Sequence, residues 1–210
     1  MLEQVVVVDH PLVQHKLSLC RSVETQTWQF RGLVEEITSL MLYEAIRDID
    51  TVEADLVTPV GPGKGIKISA KEPVFVAVLR AGLGMVPGAL RLFPYARAGH
   101  IGLYRDHDTH VPVQYYNNLP PDIEDVDCYL LEPMLATGGS AVHALTLLKE
   151  AGAKKIKVMS LIAAPEGIKA ITDSHPDITI YLASIDEKLN EKAYIVPGLG
   201  DAGDRLFGTA

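Results

Sequence analysis

The sequence is short of cysteine and of positive charge. Cys20 and Cys128 are its only cysteines, both in apolar surroundings and without metal-type spacing. This argues against a disulfide framework and matches the usage of a reduced compartment. Lysine and arginine total 19 against 27 aspartate and glutamate, a net charge of −8 with no long basic run. The basic stripe by which proteins hold nucleic acid is therefore missing, and no nucleic-acid partner is expected. The longest apolar run, Val74 to Leu79, is far too short to span a bilayer. The N-terminus has no basic region followed by a long apolar one, so no signal peptide is expected. These features together predict a soluble, cytoplasmic protein. The histidines (His10, His15, His100, His107, His110, His143 and His175) show neither metal spacing nor a paired nucleophile and read as structural or exposed. There is no internal repeat and no low-complexity segment.

What is present is a hydrophobic fraction of 48%, enough for a full core in one domain spanning residues 1–210. Val5 to Val8 reads as extended and Leu12 to Arg21 as a helix. Phe30, Leu33, Val34, Ile37, Leu40, Met41 and Ala45 fall at helical spacing, predicting an amphipathic helix from Thr27 to about Asp48 whose stripe is core or dimer interface. Thr51–Val60 and Lys64–Ala70 predict two strands about a Gly61-Pro62-Gly63 turn. Val74 to Leu79 is apolar at every position, as a strand buried on both faces must be; a helix from Leu83 to Phe93 follows. Residues 103–118 read as a projecting two-stranded arm with a polar turn at 106–110, Pro112 marking an edge. Ile156–Ala163 and Ile178–Ala183 are further strands, separated by a helix that Pro165 begins. Strands alternating with helices from Val74 to Ala183 predict an α/β fold with a mostly parallel central sheet flanked by helices. Ligands of such sheets bind beyond the carboxyl ends of the strands.

The stretch around which the rest is arranged runs from Asp127 to Leu145. A strand, Cys128 to Leu131, meets the acidic Glu132, then the loop Ala136-Thr137-Gly138-Gly139-Ser140, then a helical apolar pattern. Free N–H groups and the dipole at a helix N-terminus attract an anion, glycines permit close approach, and the Thr137 and Ser140 hydroxyls can donate. No lysine follows the glycines, so this is not a Walker A loop, and Gly-x-Gly-x-x-Gly is absent. The loop alone is equally an ordinary βα turn with Ser140 as N-cap. The acid at the strand end favours a phosphorylated sugar, with phosphate in the loop and hydroxyls on the carboxylate.

Glu132-Pro133-Met134-Leu135-Ala136-Thr137-Gly138-Gly139-Ser140-Ala141 resembles the phosphoribosyl-diphosphate (PRPP) motif of the type I phosphoribosyltransferases, and more narrowly of the uracil phosphoribosyltransferase family. Leu79 to Met85, Gly99 to Asp106 and Tyr194 to Asp204 carry the same resemblance. It covers nearly the whole chain and departs at Glu132, where the family pattern has Asp. The resemblance implies conversion of uracil and PRPP to UMP and diphosphate. It places PRPP on residues 132–140, Arg80, Arg105 and Asp201, with Arg80 and Arg105 on the pyrophosphate and Asp201 facing PRPP or its metal. It places uracil on Ile195, Gly200, Asp201 and Ala202 within a base-binding loop at about 194–204. Mg²⁺ is implied as a cofactor held mainly by substrate oxygens and water, with no direct protein ligand. A homo-oligomer, dimer or tetramer, and a GTP activator follow from family members alone; no motif here carries them.

Read without the resemblance, Arg80 is equally a surface arginine paired with an acid, and Arg105 equally a hairpin salt bridge with Asp106 or Asp108. Asp201 or Asp204 is equally a turn cap. Ile195, Val196 and Leu199 would be wasted in a disordered tail, so the glycine-rich stretch is expected to be an ordered loop anchored by Leu206 and Phe207. Two other functions remain open: a regulator of the same fold that senses PRPP and binds RNA, which the acidic charge opposes, and a transferase for another base.

Overall fold

The computed structural model describes residues 4–105 and 112–209, apart from the side chains of Arg105 and Pro112. The elements are β1 (Val5–Val7), α1 (Pro11–Arg21), α2 (Thr27–Ala45), β2 (Thr51–Val57), β3 (Pro62–Ile68), β4 (Val74–Leu79), α3 (Val86–Leu92), β5 (Arg97–Arg105), β6 (Pro112–Asn118), β7 (Asp127–Leu131), β8 (Met134–Leu135), α4 (Gly139–Glu150), β9 (Lys155–Ala163), α5 (Pro165–Ser174), β10 (Thr179–Ile185), β11 (Lys188–Leu189), β12 (Ile195–Val196) and α6 (Ala202–Phe207). The central sheet runs β1-β10-β9-β7-β4-β5-β6, with β8 against β9. All its pairs are parallel except β5 with β6.

The unbroken apolar run of β4 has a simple cause. Val74, Val76 and Val78 pack with Leu145 and Leu148 of α4 and Ile168 and Ile171 of α5. Phe75 packs on the opposite face with Phe30, Val34 and Met41 of α2. Successive side chains alternate across the sheet, so a strand covered on both faces has no position left for a polar residue. The α2 stripe is core, as its spacing predicts, although the helix ends at Ala45. Leu33 and Leu40 flank it half-buried.

Three local expectations are corrected. The β2–β3 turn is at Thr58–Gly61, where the Thr58 hydroxyl and carbonyl close on Gly61, and Pro62 and Gly63 are already in β3. The segment after β4 is not one helix. A 3₁₀ turn, Ala81–Gly84, precedes α3 because Pro87, lacking an N–H, is tolerated only in a first helical turn. The stretch 103–118 is partly sheet: β5 leaves β4 after Gly102, and only Leu103–Arg105 with Pro112–Gln114 extend as a two-stranded ribbon. Its expected polar turn, with Asp106, His107, Asp108 and His110, lies outside the described residues.

α2 and α3 approach so closely that the contact requires glycine. A Cβ on Gly88 would lie 2.2 Å from the Glu35 carbonyl oxygen, and the Ser39 hydroxyl donates to the Gly88 carbonyl at 2.7 Å. Gly88→Ala gains helix propensity but forces the helices apart, and overpacking outweighs propensity. We expect a net loss of about 2 kcal/mol, read as a Tm lowered by roughly 5 °C in thermal unfolding.

Candidate active site

Four residues, two at strand ends and two at helix starts, face one another across a cleft. Arg80 follows β4 and Glu132 follows β7, while Ser140 sits in the first turn of α4 and Asp201 just before α6. A cavity of about 220 Å³ is lined by all four, together with Pro133, Met134 and Gly203. A larger cavity of about 510 Å³ lies elsewhere, between β1, the end of β10 and α5. It is largely apolar and holds none of the expected residues.

The loop from Ala136 to Ser140 turns through Gly138, which has φ 78° and is the N-cap of α4. Ser140 is therefore inside the helix, and its reading as N-cap is corrected. The first helical bond runs from the Val142 N–H to the Gly138 carbonyl, which leaves the N–H groups of Gly139, Ser140 and Ala141 at a free N-terminus. The bare face of Gly138 points at α5 and not into the cleft: a Cβ there would lie 2.7 Å from the Gly167 carbonyl oxygen. Thr137 and Ala136 are half-buried. Leu135 is packed in the core, so its side chain supports the loop from beneath.

Glu132 is the most unusual group. Its Oε2 is buried without a hydrogen-bond partner. Burial pushes its carboxyl up to about 8. Ser160, which follows the β9 residue opposite Leu131, also has an unpaired buried hydroxyl. Arg80 donates to Asp204 Oδ1 at 3.3 Å and lies over the Phe207 ring at 5.8 Å. The pairing with an acid thus exists, but it is solvent-exposed and such pairs contribute little. Asp201 does cap a helix, its Oδ1 accepting the Asp204 N–H at 2.9 Å, and the residue also lines the cleft. The side chain of Arg105 is outside the described residues; its backbone ends β5.

Residues 195–202 are ordered. Ile195 and Ala202 turn their side chains into the core, which leaves only their backbone groups to meet a ligand. Among the described residues the N–H and C=O of Gly200 have no partner. α6 was hidden in the sequence by its glycines, although Asp201 with Asp204 three residues on is an N-terminal capping signal. Leu206 anchors it in the core, whereas Phe207 is 41% exposed and does not.

Sequence reasoning missed three side chains that hold this loop. Arg21 forks onto Asp186 at 2.5 and 2.6 Å, Asp186 accepts the Gly198 N–H, and Arg205 donates to the carbonyls of Leu199, Ser22 and Cys20. Burial works against charge on Asp186, but the Arg21 fork, the Gly198 N–H and the Ser184 hydroxyl hold its carboxyl below the ordinary range. An acid at the carboxyl end of an apolar strand was the available signal, the one that marked Glu132.

A family model described as uracil phosphoribosyltransferase matches residues 7–209. The chain belongs to the uracil phosphoribosyltransferase family. Uracil phosphoribosyltransferases of Clostridium botulinum (strain Eklund 17B / Type B) and Halalkalibacterium halodurans are 59% and 56% identical over 208 residues, 99% of this chain and 100% of each relative. The solved AQ2163 protein of Aquifex aeolicus superposes with a TM-score of 0.92 at 37% identity, covering 98% of this chain and 99% of that one. A hypoxanthine phosphoribosyltransferase of Trypanosoma cruzi superposes at 0.51 with 11% identity over 78% of this chain and 76% of its own, a likeness of fold alone. The α/β architecture with its mostly parallel sheet is thus that of the type I phosphoribosyltransferases. No helix among the described residues is long and apolar enough to cross a membrane.

For a member of the uracil phosphoribosyltransferase family, Glu132 gives a measurable signature. The folded protein keeps this proton up to about pH 8, whereas an unfolded chain releases it near 4.5. Raising the pH through that window therefore removes stability. Urea midpoints taken at about pH 5.5 and about pH 8.5 should fall for the parent and fall less for Glu132→Gln. An equal fall in both proteins refutes the assignment.

Proposed function

We infer that the chain catalyses phosphoribosyl transfer from PRPP to uracil, giving UMP and diphosphate for pyrimidine salvage. The observation supporting this most directly is the convergence of Arg80, Glu132, Ser140 and Asp201 on one cleft, in a chain of this family, beside a backbone loop whose Gly200 groups are unpaired.

Uracil N1 attacks C1′ of PRPP as the C1′–O bond to pyrophosphate breaks, and the N1 proton is lost. The ribosyl group passes through an oxocarbenium-like state while negative charge grows on the leaving group. The N–H groups at the start of α4, with Thr137 and Ser140, take the 5′-phosphate. Glu132 takes the ribose hydroxyls, which donate to its unpaired Oε2 and relieve the cost of burying that atom. Arg80 supplies charge at the pyrophosphate, where preorganised electrostatics act most strongly, and Arg105, at the end of β5, is the second candidate there. Among the described residues no group of three His, Cys, Asp or Glu is placed to hold a metal. Mg²⁺ carried mainly by pyrophosphate and water oxygens would have the carboxyl of Asp201, which lines the cleft, to interact with. When bound, Mg²⁺ offsets the charge of the leaving pyrophosphate.

Uracil presents donors and acceptors that the peptide groups of residues 195–202 can match. Cytosine has an amino group in place of the 4-carbonyl and no hydrogen on N3, so two positions are mismatched. Such polar mismatches discriminate by up to about 10⁴. The test is a panel of bases with PRPP and Mg²⁺, following nucleotide formation: uracil is used and cytosine is not. In parallel, UMP should slow hydrogen exchange at the Gly200 and Ala202 amides. Comparable use of cytosine, or unchanged exchange, defeats this reading of the loop. Ala202→Leu is not a clean probe, since the Ala202 side chain is in the core and the added bulk would overpack it.

Arg80→Ala should lower turnover more than it weakens uracil binding, because leaving-group charge appears mainly in the transition state. The expected loss is about 2–4 kcal/mol, measured as kcat with both substrates saturating. Near-parental turnover would leave Arg80 as the partner of Asp204 and no more.

A further inference from the structure

The loop between β12 and α6 has no regular structure, yet both polar groups of Gly198 are fixed. Its N–H donates to Asp186 Oδ2 at 2.8 Å. Its carbonyl accepts from Arg21 Nη1 at 2.7 Å. Those two side chains also hold each other, Nη2 to Oδ1 at 2.5 Å and Nη1 to Oδ2 at 2.6 Å, and the Ser184 hydroxyl braces Oδ1 at 3.0 Å. Gly198, Asp186 and Arg21 therefore close a ring. One residue further on, the Leu199 carbonyl accepts from Arg205 at 2.8 Å, and the Arg205 guanidinium lies 4.3 Å from the Phe30 ring centroid.

This ring is more than the chain connection needs. Gly198 has φ 66°, and a Cβ there would lie 2.1 Å from the Ile195 carbonyl oxygen, so steric constraint alone already makes the turn tight. What the ring adds is orientation. Fixing a residue's N–H and C=O fixes the peptide planes on both sides of it, and the next peptides inherit that setting. The groups so oriented are those of Gly200, which have no partner among the described residues, and the amide of Ala202 at the start of α6. Asp186 is only 2% exposed and Arg21 22%. A buried ion pair of this kind is weak support for stability as such, and orientation accounts for it better.

We propose that Arg21 and Asp186 are positioning residues for base recognition: their ring with Gly198 sets the backbone groups that read uracil, and they do not contribute to the grip on PRPP. This rests on the reading of residues 195–202 as the base loop. The two halves of the site are then tuned separately, PRPP by the ends of β4 and β7 and the base by the end of β10. The choice of arginine also follows. A lysine presents a single point charge and cannot fork onto a carboxylate while reaching a carbonyl.

Two variants test the proposal in the full-length enzyme. Asp186→Asn keeps the shape but sets an amide against the Arg21 fork. Arg21→Lys keeps the charge and loses the fork. Each should raise the KM for uracil at least about tenfold and lower the preference for uracil over cytosine, with PRPP affinity in calorimetry within about twofold of the parent; a tenfold KM effect is one factor of ten in an equilibrium constant. Gly88→Ala controls for lost stability alone: its Tm falls while its uracil KM stays parental. If either folded variant keeps a parental uracil KM, or if PRPP affinity falls in step with uracil KM, the proposal is overturned. Should Asp186→Asn not fold, Arg21→Lys decides alone. The exchange of the Gly200 and Ala202 amides on adding UMP separates the two possible failures. Slowed exchange with a parental KM removes only the positioning role, whereas unslowed exchange removes the base-loop reading itself.

Discussion

A parallel sheet covered on both faces confines chemistry to the ends of its strands. In β4 and β7 almost every side chain is committed to one of two cores, so the first residue free to be polar is the one after the strand stops. Arg80 and Glu132 stand at that point, and Asp186 likewise follows β10. The cleft, the loop at 136–140 and the supports of the loop at 195–202 all follow from this single constraint. Residues far apart in sequence meet because parallel strands end on the same edge.

The same constraint explains how much could be read in advance. Runs such as Val74–Leu79 reveal buried parallel strands directly, and the strand–acid–glycine–helix order around Glu132 marks a strand end that opens on the cleft. Where local chemistry competed with pattern, the reading slipped. Pro87 displaced a helix start that apolar spacing had placed three residues earlier. Thr58 closed a turn that the Gly-Pro-Gly cluster had seemed to own. α6 was masked because glycines at 198, 200 and 203 outweighed a two-aspartate cap. Arg21 and Arg205 were illegible for a deeper reason: Arg21 reaches the Gly198 carbonyl and Arg205 the Ser22 carbonyl, each more than a hundred residues away, and no local pattern announces a hydrogen bond to a distant main-chain oxygen.

Glu132 also shows how a fold can hold a ligand preference in reserve. An unpaired buried oxygen costs roughly 1–3 kcal/mol. Any ligand that brings a hydroxyl to that oxygen recovers the cost, and one without it does not. A Glu brings the carboxyl one methylene further from the strand than an Asp would.

The contact between Gly138 and Gly167 has a consequence of its own. A Cβ on Gly167 would lie 2.5 Å from the Leu135 carbonyl oxygen and 2.8 Å from that of Ala136. α5 is therefore the floor on which the loop at 136–140 rests, with no clearance between them. A helix that touches no ligand sets the height of the loop, and a single methyl group on its upper surface would tilt the cradle from behind.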